Sequence, residues 1–142
     1  MGFQSPNPLT LTGHIHPTIV HDPGLAPSNI IKSGTPFTIH IDWGIDGTAV
    51  PLMAGDFHVR AFFESYGGGP EPTFPPVGSV DVPVTSVPLV GNSRHYFTHV
   101  PVPGSLPAGA YAMVVLITYT GPGGTPGPLA ASSDEVLVQI FP

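Results

Sequence analysis

The chain reads as all-β: a single antiparallel two-sheet sandwich of about seven strands, preceded by a Pro-rich N-terminal arm. Three observations predict this. Apolar and polar residues alternate with period two in one segment after another, as half-buried strands require. No segment carries the 3.6-residue apolar period of an amphipathic helix. The 18 glycines and 20 prolines among 142 residues gather largely between the alternating segments, where they supply turns. An apolar content of 41% suffices for a core at this length, so the Gly and Pro are read as turn chemistry rather than disorder.

Residues 1–8 are rich in Pro and polar groups and are expected to form a flexible arm; residues 9–142 form the domain. From 9 to 16, Leu9, Leu11 and Ile15 share one face, with Thr10, Thr12, His14 and His16 on the other. Residues 17–35, broken by prolines and glycines around Ile19-Val20 and Ile30-Ile31, read as a long edge excursion. Residues 36–43 alternate most cleanly: Phe37, Ile39, Ile41 and Trp43 point inward, Thr38, His40 and Asp42 outward. A loop is expected over 44–55. The strand 56–66 buries Phe57, Val59, Ala61 and Phe63, leaving His58, Arg60, Phe62 and Glu64 on the opposite face.

The stretch 67–76 holds three glycines and four prolines and can be neither helix nor central strand, since proline donates no ladder hydrogen bond. Residues 77–90 alternate but contain Pro83 and Pro88, which places them at a sheet edge. A short strand covers 93–100. The stretch 104–120 reads as a corner followed by a central strand apolar on both faces, which a lone two-sheet sandwich does not require. A loop over 121–128 and a last strand over 134–141 complete the chain.

The corner carries a resemblance. Leu106, Gly109 and Tyr111 are similar to the turn entering a central strand of immunoglobulin-like and fibronectin type III-like domains, and Trp43 resembles the large inward residue of an early strand there. The resemblance implies that the Tyr111 ring folds inward and its hydroxyl bonds backbone a few residues upstream. It concerns fold alone, because this fold hosts many unrelated functions. Phasing from Tyr111 puts Met113, Val115, Ile117 and Tyr119 in the core, and Ala112, Val114, Leu116 and Thr118 outside. On the last strand Val136, Val138 and Ile140 face in. In this fold the strands carrying Phe62, Leu116 and Leu137 are neighbours, so Phe62, Val114, Leu116, Leu137 and Phe141 are expected on one outward face. Apolar surface of that extent is seldom left open on a monomer.

Composition limits the functions. Only 8% of residues are charged and three are cationic, Lys32, Arg60 and Arg94, at a formal net charge of −6. Neither nucleic-acid phosphate nor anionic lipid has the clustered cations it needs. Absence of cysteine excludes disulfides and thiolate metal sites. No apolar run reaches the about 20 residues of a membrane span. No signal peptide is visible, and an extracellular or particle-surface setting is slightly favoured over the cytoplasm.

Seven histidines raise the question of a metal. His14 and His16 lie on one strand face at i, i+2, a spacing that places two imidazoles on one ion, but no third ligand is evident among His40, His58, His95, His99 and Asp42. The stretch 42–47 lacks the alternating carboxylates and distal Glu of a calcium loop. There is no nucleophile elbow, and Gly67–Gly69 leads into Pro rather than a phosphate-binding helix. No cofactor and no catalysis are expected. The reading is a structural, self-associating subunit of a homo-oligomer, filament, surface layer, shell or virion decoration. Its rival is a monomeric module that binds carbohydrate, protein or metal through the loops 44–55 and 121–133 at one pole.

Overall fold

The computed structural model describes residues 3–4, 11–20, 29–65, 78–103, 107–124 and 126–142. Ten strands occur among them: β1 (Phe3–Gln4), β2 (Thr12–Val20), β3 (Ile30–Lys32), β4 (Phe37–Asp46), β5 (Asp56–Ser65), β6 (Gly78–Pro83), β7 (Ser93–Val102), β8 (Gly109–Thr120), β9 (Pro126–Ser132) and β10 (Val136–Phe141). They form two sheets, β2-β4-β7 and a seven-stranded sheet centred on β8. One core lies between the sheets, a sandwich-like arrangement.

β8 organises the larger sheet. One side of it pairs with β5, which in turn pairs with β6. The other side pairs with β10 along residues 109–113 and with β9 along 116–120. β9 and β10 are thus one long strand interrupted by a bulge at residues 133–135. Ser133 seals the break: its backbone N–H donates to the Val115 carbonyl, and its hydroxyl accepts from the Val115 N–H, both at 2.9 Å.

Several expectations are corrected. The strand count exceeds seven, because β1 and β3 are added and the last strand is broken. The sheets are not purely antiparallel, since β3 lies parallel to β10. Residues 17–35 are less of an excursion than expected: β2 runs through Pro17 to Val20 and buries Ile19, and Ile31 enters the core. Pro17 is tolerated because β2 is an edge strand, as are β6 with Pro83 and β7 with Pro101. Gly44, Ile45 and Asp46 continue β4 rather than opening a loop, and Pro126–Ser132 is strand β9 rather than loop. Phe3–Gln4 of the expected arm pairs with Ala130 and Ala131 of β9; the rest of the arm, like residues 66–77, lies outside the described residues.

The strand phases follow the alternation. Phe37, Ile39, Ile41 and Trp43 of β4, Phe57 to Phe63 of β5 at every second position, and Tyr111, Met113, Val115 and Ile117 of β8 are all buried. Trp43 stacks on Tyr96 of β7 with centroids 4.2 Å apart, and Phe57 meets Trp43 edge-on at 4.9 Å. These rings join the two sheets. Their polar handles are satisfied: Trp43 Nε1 donates to Thr98 Oγ1 at 3.0 Å, and the Tyr96 hydroxyl donates to the Val84 carbonyl at 2.6 Å.

The corner before β8 forms as the resemblance implies. The Tyr111 hydroxyl donates to the Pro107 carbonyl at 2.7 Å, four residues upstream, and burial raises its pKa, keeping the donor proton in place. Gly109 has φ +152°, a region L side chains rarely adopt. Leu106 lies outside the described residues. At the far end of β8, Gly55 (φ +101°) passes so close to the Thr120 carbonyl that a Cβ there would overlap it.

Replacing Tyr96 by Phe keeps the ring but strands the buried Val84 carbonyl, a loss of about 1–3 kcal/mol. Urea unfolding followed by the emission of Trp43, the single tryptophan, will show it as a lowered midpoint. Burial raises the Tyr96 hydroxyl from 10.0 to about 12, so the unfolded chain ionises first as pH rises. The stability this group contributes is complete below pH 10.0, falls between there and about pH 12, and is absent from the Tyr96→Phe variant. An unchanged alkaline profile in that variant would contradict the burial.

Candidate functional site

Two outward faces carry the candidate residues, and each follows from the phase of a buried strand. On the larger sheet, burying Val59, Ala61 and Phe63 turns Arg60, Phe62 and Glu64 out of β5. The β8 phase turns out Ala112, Val114 and Leu116, of which Ala112 is nonetheless buried, at 4% exposure, and the β10 phase turns out Leu137 and Phe141. Register arranges these in rows: Arg60 with Leu116, Phe62 with Val114, and Glu64 with Ala112 and Leu137. The structure therefore brings Phe62, Val114, Leu116 and Leu137 together on one face. Phe141 lies on the same face at the far end of β10, opposite Lys32 of β3. Leu137 is 63% exposed, Ile30 64% and Phe141 40%, while Phe62, Val114 and Leu116 are half-buried.

At the margin of this face His58 bridges three strands. Its Nδ1 lies 2.7 Å from Asp81 Oδ1 of β6 and its Nε2 lies 2.6 Å from Thr120 Oγ1 of β8. Carboxylate, imidazole and hydroxyl follow the order of a nucleophilic triad. A triad, however, uses a shielded acid, and the Asp81 side chain is 72% exposed. Here the chain of contacts works as a cross-strand tie.

The smaller sheet presents a histidine face. Inward Ile15, Ile39, Ile41, Trp43, Tyr96 and Val100 leave His14, His16, His40, His95 and His99 pointing outward. His40 and His99 are paired across β4 and β7 and stack with centroids 4.1 Å apart at 13°. Burial, and then the adjacent His99, hold the His40 pKa below its usual value of 6.5.

Two rows further along the same face the arrangement is different. His14 of β2, Gly44 of β4 and His95 of β7 are consecutive partners across all three strands. Gly44 has no side chain, so the two imidazoles lean toward each other over it, with centroids 5.5 Å apart. A Cβ at Gly44 would meet His14 Cε1 at 2.9 Å. Asp42, two residues earlier on the same face, sets Oδ1 2.8 Å from His95 Nε2 and 3.7 Å from His14 Nε2. Above them runs an open groove of about 430 Å³, walled by Thr12 and His14, Gly44 and Asp46, and Ser93 and His95.

The structure thus gathers His14 with His95 and Asp42, not with its i, i+2 neighbour His16, which stands opposite Asp42 but outside the cluster. Reading residues 44–55 as a loop hid the cluster, because Gly44 had to be a strand residue for the row to exist. The loop pole is present in reduced form: the segments flanking Gly55 and Gly121 adjoin, and the Tyr119 hydroxyl donates to the Ala54 carbonyl. No helix among the described residues is long and apolar enough to cross a membrane.

No protein-family model matches this chain, and a search of curated proteins finds none similar to it.

Proposed function

We propose that this chain is an immunoglobulin-like or fibronectin type III-like β-sandwich that serves as a self-associating structural subunit. The sandwich reading is supported by the three-stranded sheet β2-β4-β7 facing a sheet in which β5, β8 and the broken strand β9–β10 are neighbours. The Tyr111 corner and the inward Trp43 agree with it.

The occupant of the outward face is a second copy of the chain, and the row pattern is the observation that carries this. A two-fold axis lying along the Phe62–Val114 row reverses the strands of the second copy. Phe62 then meets Phe62 and Val114 meets Val114. The row Arg60–Leu116 falls on the partner's row Glu64–Ala112. Cation lies over anion and a large side chain over a small one, the self-complementarity an isologous interface needs. Aligned sheet packing at about −30° accommodates that overlay. A chain with 8% charged residues has few of the lysines and glutamates that keep sheets apart. Repetition of such contacts through the edges β2, β6 or β7 extends a dimer into a larger assembly.

Light scattering coupled to size exclusion tests the reading. The wild-type chain is expected to associate, and Leu116→Glu, which sets a carboxylate one row from the axis within the apolar contact, to run as a folded monomer. A chain that stays monomeric at millimolar concentration, or a Leu116→Glu oligomer of unchanged size, overturns it.

Charge reversal tests the pairing itself. Arg60→Glu alone and Glu64→Arg alone each place like charges together twice across the axis, weakening association by about tenfold. The double variant restores the complementarity and returns association to within a few-fold of wild type. Equal losses in the singles and the double would exclude this orientation.

A further inference from the structure

We infer that His14, His95 and Asp42 form a binding site for one divalent first-row transition ion, of which Zn²⁺ is the representative. The site lies on the sheet opposite the self-association face and does not depend on it. Three independent observations converge. The ligand atoms of the three residues lie within 4.8 Å of one another. Each comes from a different strand of one sheet, β2, β4 and β7, so the backbone positions are fixed by ladder hydrogen bonds rather than by a loop. The strand position between the two histidines is Gly44, where a Cβ would press on the His14 ring at 2.9 Å.

The ligand chemistry selects the ion. Two imidazole nitrogens and one carboxylate oxygen are a borderline set that suits zinc, copper, nickel or iron and not calcium, which asks for six or more oxygens. Metal–ligand bonds of about 2.0–2.1 Å in a tetrahedral site set neighbouring donors about 3.3 Å apart. The His95–Asp42 separation of 2.8 Å must open and the His14–Asp42 separation of 3.7 Å must close, each by about half an ångström or less. Side chains of this kind make such adjustments by small rotations, since His14, His95 and Asp42 retain 60%, 61% and 46% of their exposure. Without the ion the carboxylate accepts from whichever imidazole nitrogen carries a proton. On binding it exchanges that contact for the metal, and both imidazoles bind through unprotonated nitrogens. Three protein donors leave the outward position open to water or to an external ligand, in the groove above Gly44.

Calorimetric titration of the tag-free, EDTA-stripped chain with Zn²⁺ alone tests this. The expected result is one ion per chain, with affinity reduced at least tenfold in His14→Gln, His95→Gln and Asp42→Asn. His16→Gln and His99→Gln, on the same face but outside the cluster, are expected to bind within twofold of wild type. Near-ultraviolet circular dichroism establishes that each variant is folded. Co²⁺ supplies a second readout, with visible bands whose intensity reports low coordination number in wild type and disappears with either ligand histidine. Absence of saturable binding overturns the inference. So does binding of several ions with losses shared evenly among all five outward histidines.

Discussion

The two sheets are held in one phase where Phe57 of the larger sheet meets the stack that Trp43 and Tyr96 form across β4 and β7 of the smaller one. Aromatic contacts of this kind add about 0.5–1.5 kcal/mol beyond the area they bury, but position matters more here than energy. Trp43 is large enough that β4 can bury it on one face only, and a one-residue slip would turn every side chain of β4 over. With Trp43 inward, His40, Asp42 and Gly44 must point outward. With Tyr96 inward, His95, Phe97 and His99 must. The same stack that closes the core therefore composes the histidine face.

An equivalent constraint acts on the other sheet through Tyr111. Its hydroxyl, tied to Pro107, locks the first turn of β8, and the phase then runs to Tyr119 without interruption. A strand paired along both sides has no edge to expose, so its outward residues are free to be apolar. The partner of β8 on the C-terminal side is broken at residues 133–135, and the break falls beside the Phe62–Val114 row. β-Bulges twist and bend the strand that carries them, and this one lets β9 and β10 follow the twist of a twelve-residue strand. Ser133 supplies both a donor and an acceptor at the break, leaving no ladder group of Val115 unpaired.

The two faces are different in kind. One is apolar, with Arg60 and Glu64 of β5 one row to either side of Phe62, suited to a surface that recognises itself. The other is polar, with nitrogen and oxygen donors converging over a glycine, suited to an ion.

Period-two alternation was sufficient by itself to place Phe37, Trp43 and Phe57 in the core, since a strand has only two faces and polar residues cannot fill the inner one, whereas Tyr111 and Val115, on a strand apolar on both faces, took their phase from the corner. The Tyr111 corner was legible for the same local reason, its bond spanning four residues. The outward apolar residues on β5, β8 and β10 could be named because phase follows from the inward set. Register could not be read, as it depends on which backbone groups meet across dozens of residues. Only the tertiary structure therefore decided that β3 runs parallel to β10, that the last strand breaks at Ser133, and that Arg60 and Glu64 flank Phe62 in rows with Leu116 and Ala112. The histidine cluster shows the limit best: His14 and His95 are 81 positions apart, and what unites them is a glycine that local sequence marks as a turn. Cross-strand pairing made Gly44 the place where two imidazoles can meet, because it alone offers no side chain between them.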